Sequence, residues 1–262
     1  MNLSISNIGW DVSNDTSVYD LMKKYGYSGL EIAPTRIFPD NPYEHLKDAK
    51  GWLEELKKNE GFIVPSMQSI WFGRQEKVFG TAEERQILVD YTKKAIDFAE
   101  IVGCENLVFG CPRNRNISED ADPAIAVTFF KELGDYAAEH NTVIGMEPNP
   151  PIYNTNYIND TKSALELIEQ VDSRGFKLNL DVGTMIQNDE SVDELVGYVH
   201  LINHVHISEP GLKLIERRNL HRELMELLAE EGYQRFVSIE MGKRDDLMEI
   251  ENVLKYVRNV FS

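Results

Sequence analysis

Two cysteines, Cys104 and Cys111, are the only thiols in this 262-residue chain. If the stretch between them is extended, their Cα atoms lie roughly 20 Å apart at ~3.3 Å per residue, whereas a disulfide needs less than about 7 Å. A disulfide scaffold is therefore not expected, and two reduced thiols fit a cytoplasmic protein. No apolar run approaches the ~20 residues of a membrane span. The N-terminal stretch Asn2 to Ile8 reads as a strand, not as a charged-then-apolar leader. Basic side chains are also scarce: 27 Lys and Arg stand against 44 Asp and Glu, a net charge of −17. Phosphate binding needs clustered Lys and Arg, so nucleic acid is not expected as a partner. No Gly-rich loop follows the first strand, which argues against an open doubly wound dinucleotide-binding sheet. Linkers and low-complexity tracts are missing too, so residues 1–262 are expected to form one domain.

Strand patterns recur along the chain with helical patterns between them. Strands are expected at Leu3–Ile8, Gly29–Ala33, Phe62–Gln68 and Asn106–Phe109. Four more end at Glu147, Asp181, Ile207 and Glu240. Between and after them, helices are expected near Thr16–Tyr25, Tyr43–Lys58, Thr81–Val102, Pro123–Tyr136, Asp160–Val171, Asp189–Val199, Arg217–Glu231 and Asp246–Val260. The clearest is the third. Thr81 and Glu84 form a capping-box pattern, Leu88, Tyr91, Ala95, Phe98, Ala99 and Val102 make one apolar stripe, and Gly103 is a natural stop. Eight strand–helix pairs in this length predict a single (β/α)8 TIM barrel, an α/β fold with its active site at the C-terminal ends of the strands.

Four of the strand candidates share a pattern. Val143–Glu147, Leu178–Asp181, His204–His206 and Val237–Glu240 are short apolar runs, each ending in a metal-ligand residue type. Side chains alternate faces along a strand. Glu147 then shares a face with Gly145, Asp181 with Asn179, His206 with His204, and Glu240 with Ser238. The opposite faces are aliphatic: Ile144, Met146, Leu178, Leu180, Val205, Ile207, Val237 and Ile239. A parallel barrel needs aliphatics toward its helices and chemistry at its mouth. Glu147, Asp181, His206 and Glu240 are therefore expected to hold one divalent metal ion. Three oxygen donors and one nitrogen favour Mn²⁺, Mg²⁺ or Co²⁺ and also accommodate Zn²⁺. Glu147 and Glu240 would reach a bound sugar from different sides. One could take a proton from the carbon beside a carbonyl and the other return one, through a metal-stabilised enediolate. A lone Glu, Asp or His at a strand end is more often a polar rim residue; four on consecutive strands in one register tip the balance toward a metal.

At these residues the chain resembles the xylose isomerase-like TIM-barrel superfamily, which includes ketose 3-epimerases, sugar isomerases, dehydratases and AP endonucleases of family 2. The carriers are Gly29-Leu30-Glu31-Ile32-Ala33-Pro34, Val108-Phe109-Gly110-Cys111-Pro112-Arg113, Met146-Glu147-Pro148-Asn149, Leu180-Asp181-Val182-Gly183-Thr184, His204-Val205-His206-Ile207-Ser208-Glu209 and Ser238-Ile239-Glu240-Met241. The resemblance implies metal binding by Glu147, Asp181, His206 and Glu240, and acid/base roles for Glu147 and Glu240. Two departures stand out. Thr184 occupies a place where many members carry a histidine, and Leu212 one where the ketose 3-epimerases carry an arginine. Gln68 also ends the third strand where multi-zinc relatives have a histidine, so a multi-zinc site is not expected.

Other mouth residues have a functional and a packing alternative each. Arg113 is expected to hold a substrate oxyanion or hydroxyl, against simple pairing with surface carboxylates; Arg115 is the weaker candidate. Gln68 and Asn149 suit sugar hydroxyls, and Trp71 could wall the pocket or merely pack. Glu31 is expected to bind substrate or to pair with an Arg inside the barrel, and His204 to meet substrate, orient a metal ligand or sit as a core histidine. Glu209 and Lys213, on the long loop after the seventh strand, are candidates for substrate binding. The expectation is a metal-dependent isomerase or epimerase acting on a small-molecule sugar or sugar phosphate, with a homo-oligomer compatible. A dehydratase of a cyclic polyol or keto acid is the alternative. A DNA-repair endonuclease is disfavoured by the acidity, and a non-catalytic sugar-binding protein by the paired glutamates.

Overall fold

The computed structural model describes residues 1–262. Seven strands form one parallel sheet: β1 (Asn2–Ser6), β2 (Gly29–Glu31), β3 (Leu107–Phe109), β4 (Ile144–Met146), β5 (Phe176–Asp181), β6 (Ile202–Ile207) and β7 (Phe236–Ile239). Their spatial order is β2-β1-β7-β6-β5-β4-β3. Helices lie around it: α1 (Asp15–Lys24), α2 (Pro34–Ile37), α3 (Leu46–Glu60), α4 (Ala82–Val102), α5 (Ala124–Glu139), α6 (Thr161–Val171), α7 (Val182–Asn188), α8 (Asn219–Glu230) and α9 (Leu247–Phe261). No helix is long and apolar enough to cross a membrane, and both cysteines are free thiols.

The third expected strand, Phe62–Gln68, is not a regular strand. Only Ile63 and Met67 form isolated parallel bridges, to Gly29, Ile32 and Leu107. Pro65 has no N–H to donate and interrupts the ladder. The segment still hydrogen-bonds on both sides. Leu30 N donates to Ile63 O (2.9 Å), Gln68 N to Ile32 O (2.8 Å), and Val108 N to Met67 O (2.8 Å). It thus lies between β2 and β3, the two ends of the sheet order.

A second departure follows β5. The helix expected at Asp189–Val199 is replaced by α7, which starts directly at the strand end, and by short 3-10 turns at Val192–Leu195 and Val199–Leu201. Asp181 is itself the N-cap of α7, accepting from Thr184 N at 2.6 Å. A strand-terminal carboxylate that caps the next helix leaves no loop between the two. Elsewhere local chemistry sets the boundaries as expected. Thr81 and Glu84 exchange both capping-box bonds (3.2 and 2.9 Å), and Gly103 closes α4 at φ +63°.

The two sheet faces differ as the alternation requires. Ile144, Met146, Leu178, Leu180, Val205, Ile207, Val237 and Ile239 are all buried and belong to one apolar cluster shared with the helices. The inner face is polar. Asn106 Nδ2 donates to Ser66 Oγ (3.0 Å) and to Asn179 Oδ1 (3.2 Å), while Asn203 Nδ2 donates to Asn106 Oδ1 (2.9 Å). Gly145 makes room for them: a Cβ there would lie 2.6 Å from Asn106 Oδ1. Between β5 and β6 the register slips. Leu178 pairs with Ile202 but Asn179 pairs with His204, leaving Asn203 as an extra residue. This bulge lets Asn203 reach the inner network while His204 and His206 also face inward.

Candidate metal centre

Four ligand-type side chains converge where β4 to β7 end. One ligand atom each of Glu147, Asp181, His206 and Glu240 lies within 4.8 Å of all the others. His206 Nδ1 is 2.9 Å from Glu147 Oε1 and 3.4 Å from Glu240 Oε2. All four residues are buried, yet Glu147, Asp181 and Glu240 line a cavity of about 180 Å³. Gln68, Ser69, Gly110, Cys111, Asn149, Tyr153, Ser208 and Leu212 complete most of its wall.

The surrounding bonds fix each ligand. Asp181 Oδ1 accepts from Thr184 N and Thr184 Oγ1 (2.8 Å), and Asp181 Oδ2 accepts from Ser208 Oγ. Thr184 Oγ1 also lies 2.8 Å from the Pro148 carbonyl. Glu147 Oε1 accepts from Asn179 Nδ2 (3.1 Å) and Glu147 Oε2 from Asn149 Nδ2 (3.2 Å). Beneath His206, Glu31 is fully buried, with Oε2 3.0 Å from His206 Nε2 and 2.9 Å from His204 Nε2. The His204 approach is close but off the hydrogen-bond direction. Gln68 Nε2 donates to Glu31 Oε1 (3.2 Å) and to Ser6 Oγ (2.7 Å). Glu31 therefore takes the Nε2 side of the metal-site imidazole and leaves Nδ1 facing the carboxylates.

Charge is unbalanced at the rim. Burial, with repulsion from Glu147, pushes the Asp181 carboxyl up to about 6. Burial pushes Glu240 up to about 7 even though His206 opposes it. Burial works against a charged His206, but Glu31 and Glu240 hold its pKa well above the ordinary histidine value. Burial likewise opposes ionisation of Glu31, but His206 and His204 keep its carboxyl well below the usual range. Three carboxylates crowded against one imidazole, out of water, are the donor set a divalent cation would satisfy. The residues fit such an ion: Glu147, Asp181 and Glu240 would give oxygen and His206 Nδ1 nitrogen.

The remaining expected site residues divide. Gln68 and Asn149 do line the cavity. Glu31 and His204 do not; they lie beneath it, and substrate contact gives way to support of His206. Trp71 does not line the cavity but stands in the wall of the neighbouring groove. It is 3% exposed, donates to Thr92 Oγ1 (2.8 Å) and meets Phe109 edge-on. Glu209 is spent on Arg218, to which it is bonded through both oxygens. The two arginines after β3 exchange places. Arg113 is exposed and lies off the cavity, in a neighbouring groove. Arg115 is fully buried and holds the Glu147 carbonyl (2.9 Å), Asn149 Oδ1 (2.9 Å) and the Ile158 carbonyl (3.2 Å). Ser208 and Asn179 join the site beyond the residues expected from sequence, through Asp181 and Glu147. Their register, two residues from the ligands His206 and Asp181, is the signal that would have found them.

A family described as xylose isomerase-like TIM barrel matches residues 19–260. Solved structures similar to the chain include a D-psicose 3-epimerase from Clostridium cellulolyticum H10, with a TM-score of 0.80 at 16% identity over 100% of both chains. A 3-keto-D-glucoside 4-epimerase from E. coli gives 0.77 at 20% identity over 99% of each chain. An AP endonuclease of family 2 from Brucella melitensis gives 0.73 at 17% identity, covering 100% of this chain and 97% of that one. No curated protein matches the sequence.

Proposed function

Because the chain belongs to the xylose isomerase-like TIM barrel family, we propose that it is a divalent-metal-dependent sugar isomerase or epimerase. The segment 63–68 then serves as the eighth stave, and the whole chain works as one (β/α)8 barrel with its site at the C-terminal mouth. The observation that carries the activity is the pair of glutamates. Glu147 and Glu240 both face the cavity and both approach His206 Nδ1.

The metal would be held by Glu147, Asp181, His206 and Glu240. Mn²⁺, Mg²⁺ or Co²⁺ suits three oxygens and one nitrogen best, and Zn²⁺ is accommodated. When bound, it supplies positive charge to a sugar carbonyl oxygen, which makes the neighbouring C–H more acidic. Glu147 is fixed by Asn179 and Asn149, so one of its oxygens can be presented to a substrate proton without reorganisation. Glu240 reaches the same cavity from the end of β7 and takes the second acid/base role by its position opposite Glu147 across His206 Nδ1. Removal by one glutamate and return by the other inverts the carbon; shuttling by a single glutamate between adjacent carbons, with a hydroxyl proton passing between their two oxygens, isomerises the sugar.

No Lys or Arg lines the cavity. The reacting part of the substrate is accordingly a neutral sugar, not a phosphate or carboxylate. Thr184 is fully committed to Asp181 and Pro148, and Gln68 to Ser6 and Glu31, which argues against a multi-zinc endonuclease site. The acidic surface and two free thiols suit a cytoplasmic enzyme of small molecules.

Incubation with a panel of ketoses and Mn²⁺ in D₂O is expected to place solvent deuterium on the carbon beside the carbonyl. Metal-loaded protein that exchanges no carbon-bound hydrogen in any ketose would sink the proposal. An absorbing enone in place of a new sugar would redirect it to a dehydratase.

A further inference from the structure

The cavity does not end at its rim. Ser69, Cys111 and Pro112 line both the cavity and a second groove of about 500 Å³, whose other walls include Phe72 and Arg113. The two spaces form one trough with a narrow inner and a broad outer part. Phe72 is 70% exposed, although Trp71 beside it is locked in the core. It is the most exposed large apolar side chain of the protein and stands in the groove wall, so its ring is free to stack on a ligand there. Arg113 makes no ion pair, whereas Arg74 in the same groove is paired with Glu76. The seam is built from backbone that side chains rarely adopt: Ser69 sits at φ +55° and Cys111 at φ +42°. Such strain persists where the surrounding structure needs the chain turned that way. Both residues lie on the border that the two spaces share.

We propose that the groove is a second subsite, which takes a further sugar ring linked to the ring that reacts, so that the substrate is a two-ring saccharide or glycoside. The inner cavity is sized for one small moiety and carries no cation. The outer groove offers an aromatic face for the C–H face of a pyranose and a free guanidinium for its hydroxyls. The inference rests on the sugar reading above and adds the second ring to it.

Saturation-transfer NMR and competition titrations with D-fructose, lactulose (a galactosyl-fructose) and D-fructose 6-phosphate test it on the protein loaded with diamagnetic Mg²⁺. Lactulose is expected to bind roughly tenfold tighter than fructose, with saturation on the galactosyl protons. Phe72→Ala and Arg113→Ala are each expected to lower the lactulose-to-fructose affinity ratio by roughly three- to tenfold. Equal binding of lactulose and fructose overturns the subsite while deuterium exchange with fructose keeps the epimerase. A preference confined to fructose 6-phosphate and lost in Arg113→Ala overturns the second ring in favour of an anion. If Phe72→Ala changes the sedimentation coefficient and not the sugar ratio, Phe72 is a contact between copies of the chain and the subsite is overturned. Absence of both sugar binding and exchange removes the sugar reading itself, and the subsite with it.

Discussion

Nε2 of His206 lies 3.0 Å from Oε2 of Glu31, and neither side chain has any exposed surface. The carboxylate therefore decides which imidazole nitrogen is left for the metal side. Glu31→Gln keeps the shape but removes the charge and can offer an N–H where an acceptor is needed. Mn²⁺ affinity, measured by competition with a chelating dye, is expected to fall roughly 10–100-fold. Unchanged affinity would show that His206 is oriented by other contacts.

Metal should report on the fold as well as on activity. An ion that binds only the folded chain adds about 2.7 kcal/mol at a hundred times its dissociation constant. Thermal unfolding of protein stripped with EDTA is expected several degrees lower than after addition of Mn²⁺. In Asp181→Asn the Mn²⁺ response should shrink markedly, because the carboxylate that Thr184 and Ser208 hold in place is gone. A full response in that variant would move Asp181 out of the ligand set.

The two glutamates should be separable by what each leaves behind. Glu147→Gln and Glu240→Gln are each expected to lower kcat by roughly 10²–10⁴. Followed in D₂O in a single turnover, each variant should lose exchange from one epimer more than from the other. Equal loss from both epimers in both variants would mean that the pair does not divide the two faces of the substrate.

Away from the site, His221 sets an acid limit. It is buried, with Nδ1 2.9 Å from the Tyr256 hydroxyl and Nε2 without a partner. Burial pushes its pKa down to about 4. The depressed folded value means that its contribution is complete above about 6.5, the ordinary histidine value, and fades as pH falls toward 4, because the unfolded chain takes up a proton that the fold refuses. At most about 3 kcal/mol is lost in that window. Urea midpoints at pH 7.5 and pH 5 should differ more for the wild type than for His221→Asn. Equal differences would remove His221 as the cause.

Much of the fold and the heart of the site could be read from residue order. Alternation along β4 to β7 was enough to place Glu147, Asp181, His206 and Glu240 on one face, because a strand has a period of two and the opposite residues are all aliphatic. Helix ends followed from Thr81, Gly103, Asp160 and Asp246, where local capping decides the matter. What failed depended on distance in space. Nothing near Glu31 reveals that two histidines far along the chain, His204 and His206, both close on its Oε2. Arg113 and Arg115 look alike in sequence, but only the second is turned inward. The helix after β5 starts earlier than expected because Asp181, a ligand type at a strand end, is also the cap of α7.

The bonded chain of Ser66, Asn106, Asn179 and Asn203 has a bearing on re-engineering. Asn179 belongs both to that chain and to the grip on Glu147, so the catalytic storey rests on a polar shaft that runs down the middle of the protein. Grafting four ligands onto an oil-filled scaffold would leave them without that foundation. Efforts to alter what the protein accepts have more freedom at the rim segments, 69–75 and 111–114, than in the shaft, where an extra methyl group at Gly145 already has nowhere to go.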